Sequence, residues 1–252
     1  MAPLPNLDIP EELRAVAGFS ELSRDLLAEI AAASSQRRVL AGVTVIEQGM
    51  VATSLDVLAR GAVKLVRTTE SSDGESTVVL DVMRAPAVLF DAGLLDGAGA
   101  SSSVVTMRAS HLFSLDRRAT LKLAGLHPSL GRVLLSQLAH TVRRHVRRID
   151  EVASGPVDDR VRHLLDGLAH DHGTPFGQGR FIAIPLRRRD IACMVNATTE
   201  TVSRLLARFE REGRVRSTRD GIWWRGPDSA APPALVEPKF PSAARATKKR
   251  AP

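Results

Sequence analysis

The sequence predicts an α+β protein made of three successive parts, and three patterns along the chain support that prediction. Between residues 43 and 115, apolar and polar residues alternate in short runs, which is typical of strands in a β-sandwich or barrel. Between residues 127 and 153, apolar residues recur every three or four positions, as in an amphipathic helix. From residue 154 to residue 226, short helical patterns alternate with turns, which indicates a second, mainly helical domain.

The β-rich part is expected to cover residues 18–126, after an N-terminal arm of residues 1–17. Apolar residues three or four apart predict a helix from Gly18 to Gln36, with Ser20 as its N-cap. Glycines and an Asp-Gly turn punctuate the strands that follow. These strands are predicted at residues 43–46, 55–58, 62–67, 77–83, 103–108 and 111–115.

The long helix is predicted over residues 127–153, with Pro128 in its first turn. Its apolar stripe could pack on the β-rich domain of its own chain. A helix of this length outgrows the surface of one such domain, however, and this favours a homodimer. Val146 and Val152 extend the stripe, and the residues expected in the dimer seam are Leu134, Leu138, Val142 and Ile149.

Most of the positive charge lies in the C-terminal domain. The whole chain has a formal net charge of +7, and residues 178–226 hold 11 arginines and no lysine against 5 acidic residues, which gives +6. A local basic excess indicates a polyanionic partner, nucleic acid first and an anionic membrane second. Charge alone is equally compatible with a solvated basic surface.

The remaining composition narrows the classes of function. The one cysteine, Cys193, can neither close an internal disulfide nor complete a four-cysteine metal site. We interpret it as semi-buried and inert, and the alternative is a redox switch in the C-terminal domain. The sequence holds no Gly-rich phosphate loop and no metal-spaced set of His, Cys or Glu, which argues against an enzyme. It also holds no secretory signal and no run of 18 apolar residues, so we expect a cytoplasmic protein without a membrane partner.

Two helices joined by a turn form the most informative segment. The first is predicted at residues 188–195, and Asn196 can take the left-handed conformation that the turn requires. Thr198 can cap the second helix, which is predicted from Thr199 to Glu212 and ends at Gly213. The spacing therefore predicts a helix-turn-helix.

The second of these helices has two distinct faces. Its apolar face is expected to pack on the first helix and consists of Val202, Leu205, Leu206 and Phe209. The other face lies at the N-terminal end, which a recognition helix presents to the major groove of DNA. Arginine can bond both acceptors of guanine, and glutamate can accept from the amino group of cytosine. The predicted base-reading residues are Thr199, Glu200, Ser203 and Arg204, and the predicted contacts to the DNA backbone are Arg188, Thr198, Thr201, Arg208 and Arg211. The alternative is an ordinary helical hairpin with a Glu200–Arg204 ion pair.

From about Phe19 to Trp224 the chain resembles the cyclic-AMP receptor protein / fumarate-nitrate reduction regulator (Crp/Fnr) family of bacterial transcription factors. Asp190-Ile-Ala and Glu200-Thr-Val-Ser-Arg204 match the family's DNA-reading signature, and Leu94-Leu-Asp-Gly97 matches its sensor. The resemblance implies a cyclic-nucleotide-binding-like β-roll (jelly roll), a dimerisation helix and a winged helix-turn-helix over residues 154–226. It further implies a homodimer that binds an inverted repeat in double-stranded DNA, with RNA polymerase as a partner.

The effector pocket departs from the family's pattern. Cyclic-nucleotide members carry a Gly-Glu pair and an Arg-Ser-Ala triplet, whose Arg holds the cyclic phosphate. This chain has Phe90-Asp91 at the first and Ala100-Ser101-Ser102 at the second. The resemblance therefore implies a degenerate pocket, to which His145 of the long helix belongs, and usual cyclic AMP binding is not expected. A single cysteine also excludes an iron–sulphur cluster. Because Ser101, Ser102 and Ser103 keep hydroxyl groups for a polar ligand, the sequence slightly favours control by an unidentified effector at this pocket over DNA binding without one.

Two further interpretations complete the sequence-based picture. His127 and His140 are expected to be structural or solvated, and residues 227–252, which are rich in Pro and Ala and end in Lys248-Lys249-Arg250, are expected to form a disordered basic tail. The alternative function is a nucleotide-binding regulatory module that does not bind DNA.

Overall fold

A computed structural model describes residues 9–72, 74–153 and 155–226 of the chain. It divides into two compact units, Met1–Ile149 and Asp150–Pro252. Three of the expected features fall wholly or partly outside the described residues: the first half of the N-terminal arm, the side chain of Val152 and the basic tail.

The first described residues of the N-terminal unit form two short α-helices, α1 (Ile9–Arg14) and α2 (Arg24–Ala33), with a 3-10 turn at Phe19–Glu21 between them. The predicted helix from Gly18 to Gln36 is therefore wrong at both ends. Ser23, not Ser20, caps α2, because its Oγ accepts a hydrogen bond from the backbone N–H of Leu26 at 3.2 Å. After Ala33 the chain extends into a strand that pairs with another strand far along the sequence, and this pairing overrides the local helical pattern.

Eight antiparallel strands form the body of this unit in two four-stranded sheets, of order β1-β8-β3-β6 and β2-β7-β4-β5. They are β1 (Ser34–Val39), β2 (Thr44–Ile46), β3 (Ser54–Arg60), β4 (Ala62–Ser71), β5 (Gly74–Arg84), β6 (Ala87–Leu89), β7 (Ser103–Thr106) and β8 (Ser110–Asp116). The six predicted strands are confirmed. The other two lack a period-two signal, because β1 is mostly polar and β6 has only three residues. Two further helices lie in this unit, α3 (Gly93–Asp96) and α4 (Arg117–Leu126).

The long helix is α5 (Pro128–Ala153), and its first turns belong to the core of its own unit. Leu130, Val133 and Leu134 are buried there with side chains of α1, α2 and α4. Leu134 is only 3% exposed, so its assignment to a dimer seam is corrected: the chain's own core already covers it.

The next residue, Leu135, is 63% exposed and lies on the open face of the helix, where Leu134 was expected. Val142, Val146 and Ile149 continue that face with 53%, 54% and 66% exposure, and Leu138 is half-buried. The opposite side is tied to the β-roll by an ion pair between Arg144 and Asp81 at 2.9 Å.

In its described residues, the C-terminal unit combines three helices with one small antiparallel sheet of order β11-β12-β10-β9. The helices are α6 (Val157–His172), α7 (Arg188–Met194) and α8 (Thr199–Arg211), and the strands are β9 (Gly173–Phe176), β10 (Gly179–Ile182), β11 (Val215–Ser217) and β12 (Ile222–Trp224). The sequence does not predict β9, which contains Pro175. Among the described residues, no helix is long and apolar enough to cross a membrane.

Candidate nucleic-acid interface

The turn between α7 and α8 has the geometry that the sequence predicts. Asn196 is the one non-glycine residue with a positive φ, 48°, in the described part of the chain. Thr198 caps α8, since its Oγ1 accepts a hydrogen bond from the backbone N–H of Thr201 at 3.2 Å. The buried Asp190 fixes the start of α7, because its carboxylate accepts from the backbone N–H of Arg187 at 3.0 Å. A side-chain hydrogen bond therefore fixes the N-terminal end of each of the two helices.

One face of α8 is fully covered. Val202, Leu206 and Phe209 have 0%, 1% and 0% exposure, as expected for the apolar face of this helix. Leu205 is only partly buried, because it lies at the edge of the covered face. Burial of the large residues fixes the rotation of α8 about its axis, and with it the side chains that face outward.

The opposite face is open at the N-terminal end of α8. Thr199, Glu200 and Arg204 are exposed and Ser203 is partly exposed, so the structure brings the four predicted base-reading residues together on one surface. Arg204 and Glu200 are 72% and 79% exposed, and Nη1 lies 4.0 Å from Oε1. An exposed pair at this distance contributes only tenths of a kcal/mol, on the order of 0.3–0.5. Both groups can therefore exchange this contact for a ligand at little cost.

The residues predicted to contact the DNA backbone differ in their surroundings. Arg188, Thr198 and Arg211 are exposed, and Thr201 is partly buried with its hydroxyl 2.9 Å from that of Thr198. Arg208 is the exception: its Nη2 lies 2.5 Å from Oδ1 of Asp158 on α6. The sequence carries no signal of this contact, which joins residues 50 positions apart.

The resemblance implies a wing from Val215 to Trp224 around Asp220-Gly221, and the structure has a hairpin of β11 and β12 there. Gly221 is required there because a Cβ on it would meet the carbonyl oxygen of Ile182 on β10 at 2.1 Å. The Thr218 backbone N–H donates to the carbonyl of Gly221 at 2.8 Å and closes the turn. The glycine therefore serves the close approach of two strands rather than a left-handed turn.

In the β-roll, the loop that corresponds to the predicted effector pocket is closed by its own side chains. Oδ1 of Asp91 accepts from the Gly93 N–H at 2.8 Å, and Oδ2 accepts from both the N–H and the hydroxyl of Ser101 at 3.1 Å. Ala100 and Ser102 are 3% and 5% exposed, and Ala100 packs in the apolar core of the roll.

The other members of this predicted pocket do not join that network. Phe90 packs against the neighbouring apolar core. His145 lies half-buried on α5 and makes no hydrogen bond or ion pair with the described residues. A guanidinium does reach the loop, but from β4: Nη1 of Arg67 donates to the carbonyl oxygen of Ser101 at 2.8 Å. The described residues include no group of three or more His, Cys, Asp or Glu that could hold a metal ion.

Comparison with known proteins agrees with both units. A cyclic nucleotide-binding domain model matches residues 36–126, and a Crp-like helix-turn-helix domain model matches residues 159–228. The chain is 29% identical to a CRP-like cAMP-activated global transcriptional regulator of Mycobacterium tuberculosis, over 69% of this chain and 77% of that protein. It is 30% identical to the global nitrogen regulator of Synechococcus elongatus, over 66% and 74% of the two chains.

Among solved structures, FixK2 from Bradyrhizobium japonicum superposes with a TM-score of 0.66 at 21% identity, over 79% of this chain and 99% of that one. This likeness shows that the two chains share a fold. The two matched domains and the two relatives named above lead to one conclusion. The chain belongs to the Crp/Fnr family of DNA-binding transcription regulators.

Proposed function

We propose that this regulator binds an inverted-repeat operator as a homodimer and reads each half-site with the N-terminal end of α8. The observation that carries the proposal is the pairing of an uncovered polar face, Thr199 to Arg204, with a fully buried apolar face on the same capped helix. A helix fixed in this way can enter the major groove with its reading side chains already aimed at the bases.

The reading residues suggest the sequence of the half-site. By resemblance to the family, Glu200 and Arg204 read a G·C pair and its neighbour within a TGA-like core. Relatives that read a further guanine carry Arg at the position of Thr199, which has no bidentate fork, so that preference should be weak here. Ser203 favours a thymine-rich half-site of the TTGA type. We propose that Arg188 and Arg211, which are both exposed, contact phosphates on either side.

Dimerisation is supported by the open face of α5. Leu135, Val142 and Ile149 recur every seven residues, the repeat of a coiled-coil seam, and more than half of each side chain is uncovered in the single chain. The Arg144–Asp81 ion pair turns the other side of the helix toward its own β-roll. A second copy of the same helix would cover the apolar face, and two-fold symmetry would place the half-sites about one DNA turn apart, roughly 34–36 Å.

The sensor is proposed not to take cyclic AMP in the manner of its relatives. The donors of Ser101 already serve Asp91, and Ser103 Oγ accepts from the Gln48 N–H at 3.0 Å. A cyclic phosphate would find no arginine at Ala100 and would have to displace a carboxylate. These contacts favour operator binding without an added nucleotide over control by an unidentified effector.

Three broader proposals follow from the same reading. The relatives named above are transcription regulators, and we propose that this chain too acts by binding rather than as an enzyme. Its partners would be double-stranded DNA, a second copy of itself and, by resemblance, RNA polymerase, so it would act in the cytoplasm. We propose that the chain is organised as an arm (1–17), a β-roll (18–126), a dimerisation helix (127–153), a DNA-binding domain (154–226) and a tail (227–252).

A genome-wide pull-down of bound DNA would identify the operator, and fluorescence anisotropy would then measure binding to it and to random DNA. Arg204→Ala should cost about 1–3 kcal/mol per half-site and relax specificity. Arg24→Ala, which removes an exposed arginine on α2, is the matched control and should change neither affinity. Equal loss on operator and random DNA would exclude base reading by Arg204. No DNA binding by the wild type would leave the nucleotide-binding module as the function.

A further inference from the structure

Arg208 of the recognition helix is held by the protein itself. Its Nη2 lies 2.5 Å from Oδ1 of Asp158, and its Nε lies 3.5 Å from Oε1 of Glu212. Its Cζ is 5.2 Å from the centroid of the buried Phe209 ring. The guanidinium thus hydrogen-bonds one carboxylate, lies close to a second and contacts one aromatic ring, although 41% of the side chain is exposed.

Three arginines, Arg162, Arg208 and Arg214, surround the Phe209 ring. Asp158 pairs with two of them, Arg162 and Arg208. The three Cζ atoms lie 5.8, 5.2 and 5.3 Å from the ring centroid. The second oxygen of Asp158 binds Arg162, and Arg214 also lies over the Trp224 ring at 4.9 Å. A carboxylate that binds two guanidinium groups uses hydrogen-bond donors that these groups would otherwise offer to a phosphate group.

The position of Arg208 on α8 gives this restraint a consequence for DNA. It lies one turn beyond Arg204, and at 3.6 residues per turn it is rotated about 80° from Glu200, at the flank of the reading face. The sugar–phosphate backbone runs along the flanks of a helix seated in the major groove. An unrestrained arginine at this place would bind phosphates of any sequence.

Resting on the proposed function, we propose that Asp158 is a positioning residue that limits sequence-independent DNA binding by keeping Arg208 off the phosphate backbone. Asp158 contacts no base. Each phosphate contact raises the affinity for every DNA sequence alike and adds about 0.9 to the slope of log K against log salt. By holding Arg208, Asp158 removes one such contact per protomer and leaves a larger share of the affinity to the base-reading residues.

The test measures binding to random and operator duplexes between about 50 and 300 mM salt. Asp158→Asn should steepen the salt slope on random DNA by about 0.9 per protomer, or about 1.8 per dimer, and raise that affinity roughly tenfold at the low-salt end. Asp159→Asn is the matched control, because Asp159 is the next residue and, among the described residues, pairs only with Arg162, at 3.5 Å; it should leave the slope unchanged. The double variant Asp158→Asn with Arg208→Gln should return the slope to the wild-type value.

Asp158→Ser, which also removes the charge, is measured beside Asp158→Asn, and circular dichroism establishes that each variant is folded. An unchanged slope in the folded variants would overturn the proposal. So would a steeper slope that persists in the double variant, because the released cation would then not be Arg208. A wild type that binds operator and random DNA equally well would refute the proposed function alone, because the salt slopes on random DNA would still test the role of Asp158. A wild type that binds neither duplex would overturn both.

Discussion

Val142 offers the sharpest test of the proposed dimer, because it lies in the middle of the open face of α5 and is 53% exposed in the single chain. Full burial of a Val, Leu or Ile side chain contributes about 1.5–3 kcal/mol. Leu135, Val142, Val146 and Ile149 each have half to two thirds of their surface left to cover, which corresponds to about 1 kcal/mol or slightly more apiece. Two helices together therefore gain on the order of 8–10 kcal/mol, enough to offset much of the cost of association.

Val142→Arg should dissociate this dimer. The substitution removes apolar area at the centre of the seam and places two like charges, one from each protomer, in a desolvated contact, at a cost of several kcal/mol. We expect a monomer by light scattering at micromolar concentration and little operator binding, with far-UV circular dichroism unchanged.

Val43→Arg is the control, because Val43 is also an exposed valine, 43%, but lies directly before β2 and not on α5. It should leave the oligomeric state as it is. A Val142→Arg protein that remains a stable dimer would refute the seam, and a wild type that is monomeric at the same concentration would refute the dimer itself.

The other predictions concern the N-terminal unit. Leu134→Ala should lower the free energy of unfolding by about 2–4 kcal/mol without dissociating the dimer, because this side chain fills the core of its own chain. Urea unfolding measures the loss of stability and light scattering measures the oligomeric state. Dissociation without destabilisation would contradict the prediction. Titration calorimetry should give a Kd for cyclic AMP weaker than about 1 mM, and micromolar binding that is lost on changing Asp91 would contradict the closed loop. Burial, with Arg60 and Arg38 nearby, lowers the pKa of His111 below its usual 6.5, so the fold favours the neutral ring and loses stability as the pH falls from above 6.5 through the lowered value. The unfolding midpoint of the wild type should therefore fall more steeply on acidification than that of His111→Leu.

The sequence predicted most reliably where local chemistry determines the structure. Thr198 as a cap, Asn196 at a positive φ and the apolar face around Val202 each depend on residues within a few positions, and all three are present in the structure. Ser20 was the wrong cap because Ser23 offers the same chemistry one turn later, where α2 begins. Period-two alternation likewise found the six longer or more apolar strands, and it failed for β1, which is held by β8 rather than by its own pattern.

Contacts between distant residues could not be predicted from such patterns. An apolar stripe does not show which of its members the chain's own core will cover, so Leu134 and Leu135 could be told apart only once α5 was packed against the first helices. Asp91 could be recognised as a departure from the family, but its bond to Ser101 depends on how the loop closes.

Arg208 shows most clearly why charge counts do not settle function. A basic residue in the last turns of a recognition helix reads as a phosphate contact, and the sequence alone gives no reason to treat it differently from Arg211. In the folded domain the two differ: Arg211 is exposed, whereas Arg208 lies between Asp158, Glu212 and the ring of Phe209. Because a phosphate would have to compete with these partners, the positive charge available to DNA is smaller than the number of arginines near α8 suggests. If Glu200 and Arg204 read the bases as proposed, withdrawing Arg208 from the backbone leaves more of the affinity to them and so favours one operator over many other DNA sequences.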